Sequence, residues 1–155
     1  TQSIRSFGVK LKLNATKTLV KNKSIILVDD SLVRGTTCLK IVKMLYDAGV
    51  KEVHVRIACP EIRYPDFYGV DMPTKKELLA HGRSNEEMRN YINAKTLKFL
   101  SLSGLYKAIG FEERNKTYPQ LSDHYFTGEY PVKPTDLLGE GKITQLSLLS
   151  SKSNN

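Results

Sequence analysis

The order of hydrophobic and polar residues along the chain predicts strands that alternate with helices. Residues 8–14 alternate apolar with basic side chains, which is typical of a half-exposed strand. Residues 24–30 contain four consecutive apolar side chains at 25–28, and such a run indicates a strand that is buried on both faces. Further strands are expected at 52–58 and 96–102.

Helices are expected between these strands. Residues 36–48 carry one apolar stripe at helical spacing. Ser84 and Glu87 have the spacing of a capping box, which predicts a helix up to about residue 92, and residues 103–109 predict a shorter helix. Because strand–helix–strand units cross over with a right hand, the strands that flank the helix at 36–48 are expected to be parallel.

The predicted fold class is therefore α/β, with a mostly parallel sheet, flanking helices and a loop-rich C-terminal segment. Residues 60–74 contain three of the six prolines and little periodicity, which indicates a long functional loop. We expect one folded domain over residues 1–133 and a polar, frayed tail over 134–155.

Composition narrows the class of protein. With 155 residues, of which 40% are hydrophobic, the chain can build a single soluble domain. No apolar run approaches the length of a membrane span, so no membrane partner is expected. Cys38 and Cys59 are spaced neither for zinc nor for a disulfide framework, which favours free thiols in a reducing cytoplasm.

The net charge of +8 is unevenly distributed. Residues 1–23 contain six basic side chains and no acidic one. A basic segment of this kind can contact RNA or a membrane, remain a solvated face, or attract an anionic substrate.

The most informative motif joins the strand at 24–30 to the following helix. Asp29 and Asp30 end the strand, where ligands of open α/β sheets bind. Residues 31–37 offer backbone N–H groups, three hydroxyls and Gly35, which tolerates a positive φ, and the helix dipole points its positive end to the same place. An anion cradle beside two carboxylates suits a phosphorylated sugar, with Mg²⁺ or ribose hydroxyls at the carboxylates.

A strand that ends in two aspartates is not specific, because phospho-acceptor signalling domains and ordinary strand ends also have it. The sequence Ser-x-Val-Arg-Gly-Thr-Thr at 31–37, however, resembles the phosphoribosyl pyrophosphate (PRPP) signature of type I phosphoribosyltransferases. Together with this loop, four further segments resemble, in order and spacing, the C-terminal part of the phosphoribosyltransferase domain of glutamine PRPP amidotransferase: 9–14, 58–63, 68–73 and 126–131. The resemblance covers residues 1–133.

This resemblance implies an enzyme that forms 5-phosphoribosylamine from PRPP and glutamine-derived ammonia with release of pyrophosphate, the first step of de novo purine synthesis. It implies that Asp29 and Asp30 hold Mg²⁺ and the ribose hydroxyls. It also implies that the 5′-phosphate is bound by Ser31, Val33, Arg34, Gly35, Thr36 and Thr37.

The resemblance also assigns expected roles outside the motif. Arg5, Lys10 and Lys12 match basic positions of a loop that closes over PRPP, so we favour attraction of this substrate as the use of the basic segment. Asp71 and Leu78 match positions near the entry of ammonia.

The chain departs from the family pattern in two respects. It contains neither the glutaminase domain nor the pyrophosphate loop, so we expect an uncovered sheet edge, little activity alone, and a homo-oligomer or a complementing chain. Some family members hold an Fe–S cluster through cysteines, but the matching positions here are Asp66, Ser122 and Tyr125, so no cluster is expected.

Two other functions share the same loop. One is a non-catalytic PRPP-binding regulator whose basic segment contacts nucleic acid, and the other is a base-specific phosphoribosyltransferase. The segments 68–73 and 126–131 follow the amidotransferase pattern, which makes both functions, and nucleic acid as a partner, less favoured.

Overall fold

Three parallel strands organise the part of the chain that the computed structural model describes, residues 17–69 and 74–132. Its elements are, in order, α1 (Lys17–Val20), β1 (Ser24–Asp29), α2 (Thr36–Asp47), β2 (Glu52–Ile57), a 3₁₀ turn (Lys75–Glu77), α3 (Asn85–Tyr91), β3 (Thr96–Phe99), α4 (Leu102–Ala108) and α5 (His124–Thr127). No helix within these two ranges is long and apolar enough to cross a membrane.

The strand order is β1-β2-β3, and both pairs are parallel. Asp29 pairs with Ile57, and Ile57 pairs with Phe99, so the carboxyl ends of the three strands lie at one edge of the sheet. This confirms the predicted α/β class and the parallel sheet. It also places Asp29 at the edge where ligands of such sheets bind.

The hydrophobic core lies on one face of the sheet. Val53, Val55 and Ile57 of β2 alternate toward it and are almost fully buried. Helices α2 and α3 cover this face with Val42 and Met88, which are both fully buried. The core therefore fixes the start of α2 against the carboxyl ends of the strands.

The prediction that β1 is buried on both faces is wrong. Its burial alternates, and the side chains of Ile26 and Val28 are 65% and 68% exposed. Both lie on the face that β2 lines with His54 and Arg56, opposite the core. A run of apolar residues indicates two apolar faces, but among the described residues only one face of β1 is covered.

Most element boundaries agree with the sequence pattern to within a few residues. The capping box of α3 is confirmed, since Glu87 N donates to Ser84 Oγ at 3.2 Å and Ser84 N donates to Glu87 Oε2 at 2.7 Å. The short elements α1, α5 and the 3₁₀ turn were not predicted, because three or four residues are too few to show a period. The strand expected at 8–14 and the tail 134–155 lie outside the described residues.

The loop-rich segment after α4 is held by a buried carboxylate. Asp123 is 2% exposed, accepts a hydrogen bond from Tyr106 Oη at 2.8 Å, and pairs with Arg114 Nε at 2.5 Å. Arg114 also contacts Glu129 at 2.6 Å. Burial alone raises the pKa of Asp123, but the hydrogen bonds from Arg114 and Tyr106 outweigh it and hold this pKa below its ordinary value.

A second buried contact fastens the loop at 60–69 to α5. His124 Nε2 lies 2.6 Å from Asp66 Oδ1, and both side chains are only 1% exposed. The backbone amides of Arg63 and Tyr64 both donate to the carbonyl oxygen of Tyr125, at 2.9 and 3.1 Å. The loop that follows β2 therefore packs on the C-terminal segment.

We predict that Asp123→Asn lowers the free energy of unfolding by about 2–4 kcal/mol, because it leaves the largely buried Arg114 guanidinium with only Glu129. Urea unfolding measures the loss. Glu86→Gln is the control, since this carboxylate is 79% exposed and 3.9 Å from Arg89, and it should change the value by less than about 0.5 kcal/mol.

The pH dependence of stability in the wild type and in Asp123→Asn gives a second test. Because the folded pKa of Asp123 is lowered, its contribution is fully present above the ordinary value of 3.8 and is lost as the pH falls through the lower folded pKa. The stability difference between wild type and Asp123→Asn should therefore shrink below pH 3.8. A difference that stays constant down to pH 2 contradicts the assignment.

Candidate functional site

The motif at 29–37 forms one concave site at the carboxyl end of β1. A cavity of about 310 Å³ is lined by the ten consecutive residues from Asp29 to Cys38. The structure thus brings together all the motif residues that the sequence predicts to bind PRPP. They come from the strand end, a short loop and the first turn of α2.

Each of the two carboxylates accepts one local hydrogen bond. Asp30 N donates to Asp29 Oδ1 at 3.0 Å, and Ser31 Oγ donates to Asp30 Oδ1 at 3.2 Å. Asp29 is half-buried, whereas Asp30 and its hydrogen bond with Ser31 are exposed. The carboxylates therefore stand at the rim of the cavity with access to water and ligands.

The beginning of α2 also lines the cavity. Gly35 is the N-cap residue, with φ of 75°, and it provides no side-chain oxygen to the first amides of the helix. Thr36 and Thr37 begin a helix of 12 residues whose dipole is positive at this end. A helix start without a side-chain cap offers its N–H groups to an anion.

Close packing fixes the conformation of the loop from behind. A Cβ atom at Gly35 would lie 2.7 Å from Leu79 Cδ2 and 3.0 Å from Tyr91 Cε1. Leu79 N donates to the carbonyl oxygen of Val33 at 2.8 Å. The positive φ favours glycine at position 35, and a Cβ there would force the buried Leu79 side chain to shift.

The side chain of Arg34 pairs with a residue outside the loop. Its Nε lies 3.3 Å from Glu77 Oε1, and both side chains are about half exposed, at 50% and 49%. The other carboxylate oxygen of Glu77 accepts from Thr74 N and Oγ1, each at 3.2 Å. The hydrogen bond from the Thr74 backbone, its hydroxyl and the charge of Arg34 lower the pKa of Glu77.

The thiols near the site are free, as the sequence predicted. Burial, followed by the charge of Asp29, raises the pKa of Cys38 to about 11. Burial also raises the pKa of Cys59, and the charges of Asp30 and Asp29 add to this effect. Both thiols are therefore protonated at neutral pH and are poor nucleophiles.

The donor set at the rim fits a magnesium ion that is shared with a ligand. Within residues 17–69 and 74–132 there is no group of three or more His, Cys, Asp and Glu side chains that could hold a metal. Mg²⁺ is usually bound by one or two carboxylates, water and substrate phosphates rather than by a complete protein cage. Asp29 and Asp30 meet the first part of this requirement.

Several predicted residues are not placed at the cavity by the structure. Arg5, Lys10, Lys12 and Asp71 lie outside the described residues. Leu78 lies within the described residues and is fully buried. It directly precedes Leu79, which contacts Gly35.

Sequence reasoning missed the residues that support the loop, namely Glu77, Leu79 and Tyr91. A signal for Glu77 was present, because Thr74 and Glu77 have the same spacing as the capping box of Ser84 and Glu87. The contacts of Leu79 and Tyr91 with Gly35 had no local signal, since they join residues far apart in the sequence.

Comparison with known proteins identifies relatives of the chain. Amidophosphoribosyltransferase of Rhizobium etli is 53% identical over 152 residues, which cover 97% of this chain and 31% of the relative. Amidophosphoribosyltransferase of Staphylococcus aureus is 50% identical over 132 residues, which cover 85% of this chain and 26% of the relative. The chain is homologous to part of amidophosphoribosyltransferase. No family model matches it.

A solved structure supports the homology. PRPP amidotransferase from B. subtilis, complexed with ADP and GMP, matches 84% of this chain with a TM-score of 0.70 and 47% identity. The resemblance and the fold expected from the sequence are thereby confirmed. The chain spans between a quarter and a third of the length of the relatives it matches.

We predict that Gly35→Ala destabilises the protein by about 2–4 kcal/mol, because it combines an unfavourable positive φ with a steric clash against Leu79 and Tyr91. Gly82→Ala is the matched control, since Gly82 has a φ of +69° but nothing within 4 Å of the added Cβ. It should cost about 1 kcal/mol. Thermal unfolding measures both variants, and equal losses would show that the packing behind the loop is unimportant.

Proposed function

We propose that residues 29–37 bind PRPP. In this proposal the backbone N–H groups of the loop and of the first turn of α2 bind the 5′-phosphate, together with the hydroxyls of Ser31, Thr36 and Thr37. Asp29 and Asp30 hold the ribose hydroxyls and a magnesium ion. The observation that carries the proposal is that two adjacent carboxylates and the uncapped start of a 12-residue helix line one cavity of about 310 Å³.

The charges of this arrangement suit the transfer of a phosphoribosyl group. As ammonia attacks the anomeric carbon and pyrophosphate leaves, the sugar ring acquires positive charge. Carboxylates beside the ring stabilise that charge, whereas N–H groups hold the 5′-phosphate in place. Magnesium, when bound, offsets the negative charge of the pyrophosphate. No side-chain nucleophile is needed, which agrees with the protonated state of Cys38 and Cys59.

We further propose that the chain contributes this site to an amidophosphoribosyltransferase reaction in the cytoplasm, the first step of purine synthesis. The names of the relatives support the reaction, and the chain spans only 26–31% of their length. Ammonia from glutamine and the groups that bind pyrophosphate would come from polypeptide outside the described residues, in a homo-oligomer or a complementing chain. In this proposal Arg5, Lys10 and Lys12 attract PRPP, and Asp71 lies near the ammonia entry.

We also propose that the protein functions without an Fe–S cluster. The carboxylate of Asp66 is buried and hydrogen-bonded to His124, and the other two positions that match cluster cysteines of the family are Ser122 and Tyr125. Carboxylate, hydroxyl and phenol side chains do not replace the thiolates that hold such clusters. Iron and acid-labile sulfide in anaerobically purified protein would contradict this proposal.

Calorimetric titration tests the proposed site. PRPP should bind in the presence of Mg²⁺ and much more weakly without it. Asp30→Asn removes one charge from the rim and should weaken the magnesium-dependent binding by roughly tenfold to a hundredfold. The control is Asp47→Asn, because Asp47 is an exposed carboxylate at the far end of α2.

The control should bind PRPP as tightly as the wild type. Binding that does not depend on Mg²⁺, or an equal loss in Asp30→Asn and Asp47→Asn, argues against the assignment of the carboxylates. No binding by a folded sample would mean that residues 29–37 do not form a competent site in this chain.

A further inference from the structure

A second small cavity lies between the loop at 31–37 (the phosphate loop), the 3₁₀ turn and α3. Its volume is about 210 Å³, and its lining includes three cationic side chains and one carboxylate: Arg34, Lys76, Arg83 and Glu77. Glu77 forms an ion pair with Arg34, which belongs to the loop at 31–37. The carboxylate therefore joins the loop to the segment that supports it.

We propose that Glu77 is a positioning residue of the loop at 31–37. Through one oxygen it holds Arg34, and through the other it holds the backbone N–H and the hydroxyl of Thr74. Thr74 is the residue that follows segment 70–73, in which Asp71 is expected to lie near the ammonia entry. Glu77 thus connects the phosphate loop with the end of that segment.

Two contacts show that the segment after Glu77 packs against the phosphate loop. Leu79 lies two residues after Glu77, donates its N–H to Val33 at 2.8 Å, and is buried against Gly35. When Arg34 and Thr74 are both held by one carboxylate, the 3₁₀ turn brings Leu79 against the back of the loop. The amide of Leu79 is therefore a direct reporter of whether the loop is docked.

An isolated surface ion pair would contribute little, so the number of contacts is important. Glu77 is the common acceptor for three donors from two separate parts of the chain, and its lowered pKa shows that the ionised form is favoured there. Glu86 offers a contrast, because its carboxylate is 79% exposed and lies 3.9 Å from Arg89 of its own helix.

The first experiment follows hydrogen exchange of the Leu79 amide by NMR in the full chain without ligand. Glu77→Gln should speed this exchange by about two- to tenfold, since it weakens a network of an ion pair and a cap. The control is Glu86→Gln, which removes an exposed carboxylate from α3 and should leave the Leu79 amide unchanged. Equal acceleration in both variants, or none in Glu77→Gln, overturns the proposal.

Arg34 provides a second variant in case Glu77→Gln alters the fold. Arg34→Gln removes the other end of the ion pair and should also speed the exchange of Leu79. Because both residues act through one contact, the double variant should exchange little faster than the more affected single variant. Independent, fully additive effects would contradict a shared positioning role.

The second readout is the affinity for PRPP with Mg²⁺, and this part rests on the proposed function. If Glu77 were only a background negative charge, Glu77→Gln would strengthen binding of the anionic ligand. A positioning role predicts weaker binding instead, by about two- to fivefold, with Glu86→Gln unchanged. Stronger or unaltered binding in Glu77→Gln contradicts the proposal. If the wild type binds no PRPP, the proposed function fails while the Leu79 exchange still decides the role of Glu77.

Discussion

The site depends on the close approach of the loop backbone at Gly35 to Leu79 and Tyr91. At this residue the chain turns with a positive φ, ends the loop and starts α2, and a Cβ would collide with the Leu79 side chain. The turn keeps side-chain oxygens away from the first amides of the helix, so the position that a cap would occupy stays available to a ligand. This contact therefore fixes the backbone where the loop passes into α2.

Charge is arranged around this turn in a consistent way. The end of β1 contributes two carboxylates to the lining of the cavity, and the start of α2 contributes positive partial charge to the same lining. The carboxylates also contribute to the raised pKa of Cys38 and Cys59, which keeps these thiols uncharged beside the site. A ligand that carries a phosphate suits the start of α2, and a hydroxyl-bearing or metal-bound part of the same ligand suits the carboxylates.

The cavity at 29–38 could be expected from the sequence because its lining is a single continuous segment. Asp29 and Gly35 are only six residues apart, so strand end, loop and helix start could be read together. The support of the loop was not predictable in the same way, since Val33 and Gly35 meet Leu79 only through tertiary packing. The exposed face of β1 was missed for a similar reason. Apolar residues such as Ile26 reveal that a face is apolar, but not what covers it.

The most direct test of the account asks which backbone amides meet the ligand. In an NMR titration with PRPP and Mg²⁺, the account predicts that the amide signals of Gly35, Thr36 and Thr37 shift most. The start of α3 is an internal control, because Ser84 caps it with its own side chain, and its amides should not shift. Shifts that are largest at α3, or that spread over many amides without a maximum at the start of α2, would contradict the account.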